Sequence, residues 1–345
     1  MQYFTTFFDK NYLSRGLVLL ESLQKHSNAF EMYLLCLDNV VFDYFKINKS
    51  KYPQVKAIAL TDFENQNQEL YDCKANRTLI EYYFTLSPCL PLFILEKFNL
   101  PHICSLDADI KFYSSPQKLF DYLATYSIII TPHKFSKEIT FKVKYGKYNV
   151  SFQIFKNDET GLECLTLWKK QCFEWCKDEL DEINNRFADQ RYLNNWEIIY
   201  PEKVKSLDDN VSGLAVWNLN NYQITKRKNQ FLSNNEPIIF YHYHHNKFYN
   251  NRWASNGFFD NLVNYNVNIK KIYIDYWINV NLFAAQTNLT KENLIRFNDS
   301  AELTAMLSQE HTIFFKFYKV GYFYTNFNNN FFLLKQALLY LLKQK

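Results

Sequence analysis

The sequence predicts an α/β protein built on a mostly parallel sheet with helices on both faces. Three observations predict it. Runs rich in β-branched and aromatic residues, Gln2–Phe8, Glu31–Leu37 and Val55–Leu60, alternate with helical patterns. Hydrophobic residues make up 48% and charged residues 21% of the 345, enough apolar surface for a sizeable core. Polar clusters such as Asp9-Lys10-Asn11, Asp38 and Thr61-Asp62 fall where strands give way to helices, and strand–helix alternation closes most simply as a parallel sheet.

The elements follow in order. After the first strand, Leu13, Leu17, Leu20 and Leu23 place a helix over Tyr12–Lys25. Asp62 or Thr61 caps a helix after the third strand. Residues 74–98 are mostly helical, and Pro88 and Pro91 are expected to break or restart that helix. Ser114-Ser115-Pro116 starts another helix, with Pro in its first turn. Strands are expected over Ser127–Thr131 and Asn149–Phe155, with a Lys-rich loop over 132–147 between them. Asp158–Lys177 is a long amphipathic helix with Leu162, Leu165, Trp168, Cys172 and Trp175 inward. Phe187–Leu193 reads as a short helix, and Leu214–Trp217 and Pro237–His242 as short strands. The pattern changes after residue 264, which divides the chain into a main domain, 1–264, and a mostly helical C-terminal extension, 265–345.

Composition excludes several classes. Gly numbers only 6 and Pro 8, against a fibrous or disordered chain. The net charge of +4 is too mild to imply nucleic acid. Seven scattered cysteines without short paired spacings fit buried thiols in a reducing compartment. No basic and then apolar leader opens the sequence, and no apolar run of about 18 residues suggests a membrane span. The expected location is cytoplasmic. Leu333, Leu334, Leu338, Leu341 and Leu342 with Lys335, Lys343 and Lys345 pattern 331–345 as a basic amphipathic helix. Such a helix suits packing on the main domain or peripheral contact with the inner face of a membrane.

The chemistry concentrates in His102–Phe112, an apolar run ending in Asp107-Ala108-Asp109. Residues i and i+2 of an extended chain face one side, so the two carboxylates are expected to point together. Such a pair repels itself unless a cation lies between them. Hard divalent cations bind through one or two carboxylates together with phosphate. A metal–diphosphate site is the functional reading, and a solvated turn is the plain one.

The chain resembles bacterial glycosyltransferases of the GT-A fold, close to glycosyltransferase family eight. "FTTFFDKNYLSRGLVLLESLQKH", "SLDADIKFYSSPQKLF", "NVSFQIFKND", "FADQRYLNNW" and "FYHYHHNKF" follow one another in that family's order across about residues 2–250. The resemblance implies a nucleotide-sugar donor, UDP-sugar favoured, and a surface glycan or lipid-linked glycan acceptor, with anomeric configuration retained. It implies that Asp107, Asp109 and His242, with His244 as the alternative, hold Mn²⁺, Mg²⁺ being the second choice. It assigns Thr6, Asp9, Asn11, Tyr12, Arg77, Asp107, Asn149 and Lys247 to the nucleotide-sugar. Asp189 and Gln190 fall beside the transferred sugar as the catalytic pair. The sequence departs from the family pattern at Ser151-Phe152 and at His245, where glycines are usual. Two other functions compete: a nucleotidyltransferase acting on sugar phosphates, for which a Gly-rich phosphate loop is missing near the first strand, and a catalytically inactive glycan-binding protein.

Overall fold

The computed structural model describes residues 1–244, 246–249, 253–255, 261–264, 266–287 and 323–324, and only the backbone of 247–249, 253–255 and 323–324. The sequence 331–345 lies outside the described residues, as does most of 265–345 beyond residue 287.

The chain begins β1 (Gln2–Phe8), α1 (Leu13–His26), β2 (Phe30–Cys36), α2 (Asn39–Ile47), β3 (Val55–Ala59), α3 (Leu60–Asn65), α4 (Gln68–Lys74), α5 (Leu79–Phe98) and β4 (His102–Leu106). It continues through β5 (Ile110–Phe112), α6 (Gln117–Asp121), β6 (Ile128–Pro132), β7 (Tyr148–Lys156), α7 (Glu159–Glu174), α8 (Trp196–Ile199) and β8 (Val204–Ser206). A seven-stranded sheet has the order β3-β2-β1-β4-β7-β6-β8. Only β7 runs against the rest of that sheet. This is the mixed, mostly parallel sheet between helices that the sequence predicts.

Two apolar clusters cover the two faces, as the two-residue period of strands requires. Phe4, Met32, Leu34, Cys104 and Ile154 face α1 and α2. Tyr33, Leu35, Ile103, Ile128 and Phe155 face α5 and α7. Gly16 allows α1 to lie close on the sheet: a Cβ there would come within 2.4 Å of the Phe8 ring.

Beyond β8 come β9 (Leu214–Ala215), β10 (Ile224–Arg227), β11 (Gln230–Ser233), β12 (Glu236–Pro237) and β13 (Phe240–His242). Then follow β14 (Lys247–Tyr249), β15 (Trp253–Ser255), α9 (Val267–Gln286) and β16 (Phe323–Tyr324). A small sheet, β5-β13-β9, joins the end of β4 to the late histidines. The helix α9 buries Ile269, Ile272, Tyr273, Tyr276, Trp277 and Val280 and packs against α1.

Several local expectations give way to tertiary structure. Pro88 and Pro91 do not break α5, which runs unbroken from Leu79 to Phe98. Each proline removes one helical N–H, but the helix is anchored at its start by a Thr78–Glu81 capping box and buried along Tyr82–Leu95. By length and composition α5 could cross a membrane, contrary to the sequence expectation, yet 61% of its apolar window is buried within the protein. The 132–147 segment contains a 3₁₀ run, Lys137–Tyr145, with Ile139 buried. Phe187–Gln190 is irregular rather than helical, because Ala188 takes a left-handed φ of 46°, and 3₁₀ structure starts at Arg191.

Candidate functional site

The carboxyl ends of the paired strands β1 and β4 lie side by side, and Asp9, Asn11, Tyr12, Asp107, Asp109 and His242 gather near them. Asp107 and Asp109 do not lie on a strand. They form the turn by which the chain leaves the large sheet at Leu106 and enters the small one at Ile110. The turn is pinned on both sides: Asp107 donates its N–H to Ser151 O at 2.9 Å, and Tyr243 donates its N–H to Asp109 O at 2.9 Å. Ala108 turns inward and is buried.

Antiparallel pairing of β13 with β5 sets His242 opposite Ile110. His242 Nε2 then lies 3.1 Å from Asp109 Oδ1 and 3.4 Å from Asp107 Oδ2. One ligand atom from each of the three residues falls within 4.8 Å of the others. His244 stands behind His242, with ring centroids 5.4 Å apart, and its ring meets the edge of Trp217. The geometry therefore groups His242, and not His244, with the carboxylates.

The electrostatics of the trio are those of a site built around positive charge. Desolvation pushes Asp107 up to about 7, with His242 lowering it and Asp109 and Asp189 raising it. Burial raises Asp109 too, but His242 and Arg15 outweigh it and hold this carboxyl below its ordinary value. Burial opposes a charge on His242, yet the two aspartates keep its proton affinity raised. Two carboxylates and one imidazole form a donor set suited to a divalent cation such as Mn²⁺. The imidazole of His242 shares the space with both carboxylates.

Asp9, Asn11 and Tyr12, which the resemblance assigns to the nucleotide-sugar, sit at the end of β1. Asp9 caps a short 3₁₀ turn, Lys10–Tyr12, accepting from Asn11 N at 3.0 Å and from Asn11 Nδ2 at 2.8 Å. Tyr12 is 38% exposed, and the Arg15 guanidinium lies over its ring, 4.1 Å from the centroid. Thr6 lies buried within β1, and its hydroxyl has no partner among the described residues.

Asp189 is 1% exposed, and its Oδ2 has no hydrogen-bond partner among the described residues. Burial pushes its carboxyl up to about 7 against the Ser87 hydroxyl. It lies near enough to raise the proton affinity of Asp107. Gln190 donates from Nε2 to Tyr145 O at 2.9 Å, which ties it to the 3₁₀ segment. Asn149 is buried beside the turn and accepts from Ser151 N and Oγ. Arg77 is engaged elsewhere: its Nη2 donates to the carbonyls of Cys172 and Phe173 at the end of α7. Lys247 begins β14, and its side chain lies outside the described residues.

Arg15 and Asn246 belong to this neighbourhood and are not singled out by the sequence reading. A signal for Arg15 was there: a charged residue between Leu13 and Leu17 on a helix with an apolar face, which the structure finds 4% exposed.

No protein-family model matches the chain. It is 27% identical over 249 residues to the uncharacterized protein YfnD of Bacillus subtilis (strain 168), covering 70% of this chain and 76% of that one. It is 26% identical over 249 residues to the uncharacterized protein YfnF of the same strain, covering 70% and 80%. Among solved structures it is similar to galactosyltransferase LgtC in complex with donor and acceptor sugar analogs, with TM-score 0.47, 14% identity and coverage of 70% and 87%. It is also similar to apo mouse xyloside xylosyltransferase 1, with TM-score 0.45, 12% identity and coverage of 70% and 97%.

Proposed function

We propose that this protein is a metal-dependent GT-A glycosyltransferase, close to family eight, that moves a hexose from a nucleotide-sugar to a glycan or lipid-linked glycan. UDP-sugar is the favoured donor, Mn²⁺ the favoured ion, and retention the favoured outcome. The observation that carries the reading is the convergence of Asp107, Asp109 and His242 at the ends of β4 and β13. The sequence resemblance and the mixed sheet that delivers these residues support it.

A bound divalent cation supplies Lewis-acid stabilisation of the diphosphate as the anomeric bond breaks, worth several kcal/mol. In this reading Asp107, Asp109 and His242 hold the ion, and Lys247 adds a positive charge toward the phosphates. Asp9 and Asn11 hydrogen-bond the ribose end, and Tyr12 stacks on the base. Asp189 orients sugar hydroxyls, and Gln190 lies toward the anomeric carbon. The Lys- and Leu-patterned sequence 331–345 is proposed to hold the enzyme at the inner membrane face where a lipid-linked acceptor resides.

The test is incubation of the full chain with a panel of UDP- and GDP-sugars, with and without Mn²⁺. Sugar-dependent, metal-dependent release of nucleoside diphosphate is expected. Pyrophosphate exchange would replace the reading with a nucleotidyltransferase. Glycan binding with neither reaction would leave a binding protein.

A further inference from the structure

The helix α9 lies outside every motif that carries the resemblance, yet it reaches the candidate site, most directly through Asn246. Asn246 follows His242 by a tight turn, donating from Nδ2 to Tyr243 O at 3.1 Å. Two side chains from different elements grip it. Trp277 on α9 donates from Nε1 to Asn246 Oδ1 at 2.7 Å. Arg15 on α1 donates from Nη2 to Asn246 O at 2.9 Å.

The grip is buried and continuous with the candidate ligands. Asn246 is 6% exposed, Arg15 4% and Trp277 2%. Tyr276, beside Trp277, stacks on Tyr243 with ring centroids 3.6 Å apart and planes 5° apart, and Tyr243 N bonds to Asp109 O. Lys111, on the strand after Asp109, pairs with Asp275 of α9 at 2.6 Å. The same Arg15 covers the Tyr12 ring.

We propose that Arg15, Asn246 and Trp277 form a clamp that holds the chain just beyond β13 and so positions His242 at the diphosphate end of the donor site. The C-terminal helix α9 is thereby a working part of that site. The proposal rests on the reading of the site as a nucleotide-diphosphate site. Arg15 and Trp277 act here as positioning residues: neither needs to touch the donor. A hydrogen bond fully enclosed by packed aromatic rings holds its geometry because breaking it leaves buried polar atoms unpaired. Asn246 then has one position beyond His242, and loosening it lowers affinity for a ligand held at His242.

The experiment measures UDP binding by calorimetry at saturating Mn²⁺, together with thermal melts, for the full chain and its variants. Trp277→Phe keeps the ring and removes the N–H donor, and Asn246→Leu removes the acceptor. Each is expected to weaken UDP about tenfold while the melt stays cooperative, and the double variant is expected to be no weaker than the worse single one. Ile278→Ala, on the half-exposed side of α9, is expected to bind UDP as the parent does. Unchanged UDP affinity in Trp277→Phe, or additive losses in the double variant, would overturn the clamp alone. Failure of the parent protein to bind UDP with Mn²⁺ would overturn the site reading and the clamp together. If Trp277→Phe does not fold, Arg15→Lys, which keeps the charge and loses the planar fork, carries the same expectation and the same refutation.

Discussion

His242 Nε2 lies 3.1 Å from Asp109 Oδ1, held there by the pairing of two three-residue strands, β13 and β5. The contact sets an imidazole of raised proton affinity against a carboxyl held below its ordinary value, and it offsets the repulsion between Asp109 and Asp107.

The first prediction concerns that pair of carboxylates. Asp107→Asn and Asp109→Asn keep side-chain volume and remove one anionic ligand each. Turnover of the donor is expected to fall at least a hundredfold, about 3 kcal/mol of lost transition-state stabilisation. The melt should remain cooperative. Sugar-dependent nucleoside diphosphate release, measured across a Mn²⁺ titration, checks this; parental activity in either variant would remove the metal site from the mechanism.

A second prediction follows from the burial of Asp189. Its folded pKa is pushed up to about 7, above the unfolded value of about 3.9. The folded state therefore keeps a proton that the unfolded chain releases between those values. Stability contributed by the protonated form is present below about pH 3.9 and is lost as pH rises through 7, at ~1.4 kcal/mol per unit. Asp189→Asn carries no such charge. In metal-free buffer the variant should melt with the parent near pH 4 and above it at pH 8, and with Mn²⁺ supplied its turnover should collapse. Parallel melting curves across that range would show that Asp189 titrates normally.

Much of this was legible from residue order. Apolar runs of period two and leucines at helical spacing gave β1 to β4 and α1, because those segments bury one consistent face in a single core. The resemblance grouped Asp107 and Asp109 with His242, His244 being the alternative, and the backbone sets His242 beside the two carboxylates. What stayed hidden depends on contacts distant in sequence. The turn at Asp107–Asp109 exists because the chain changes sheets there, which no local pattern records. Prolines 88 and 91 look like breaks until the burial of α5 between the sheet and α7 is known. Arg77 reads as a ligand for diphosphate or sugar, but its Nη2 donates to carbonyls at the end of α7. The grip of Trp277 on Asn246 joins two segments with no shared motif.

The third prediction tests how α1 is set against the sheet. Alanine at position 16 would gain about 1 kcal/mol of helix propensity in an open helix. Here its Cβ would approach the Phe8 ring to 2.4 Å, and Phe8 is 3% exposed in a packed core. Overpacking of this kind costs about 1–3 kcal/mol. Gly16→Ala should therefore lower the urea midpoint with an unchanged slope. Adding Phe8→Leu should recover part of the loss, since it removes the atoms that clash. A more stable Gly16→Ala would mean that α1 can move away from β1 freely.

The last prediction separates the two late histidines. Both side chains stand on one face of the chain, so sequence alone leaves either as the third ligand. The structure distinguishes them by what surrounds each ring. His242 is 4% exposed with Nε2 against both carboxylates, whereas His244 packs edge-on to Trp217 and to His242 itself. Removing His242 takes away a ligand and leaves two carboxylates without their neighbouring cationic partner. Removing His244 takes away the ring that packs behind His242. His242→Asn should raise the Mn²⁺ concentration for half-maximal turnover about tenfold or more, and His244→Asn less than threefold, ~1.4 and below 0.7 kcal/mol respectively. Manganese titration of both variants, read by turnover and by electron paramagnetic resonance of free Mn²⁺, checks the order. The reverse order would transfer the third ligand to His244 and require β13 to rotate its side chains relative to β5.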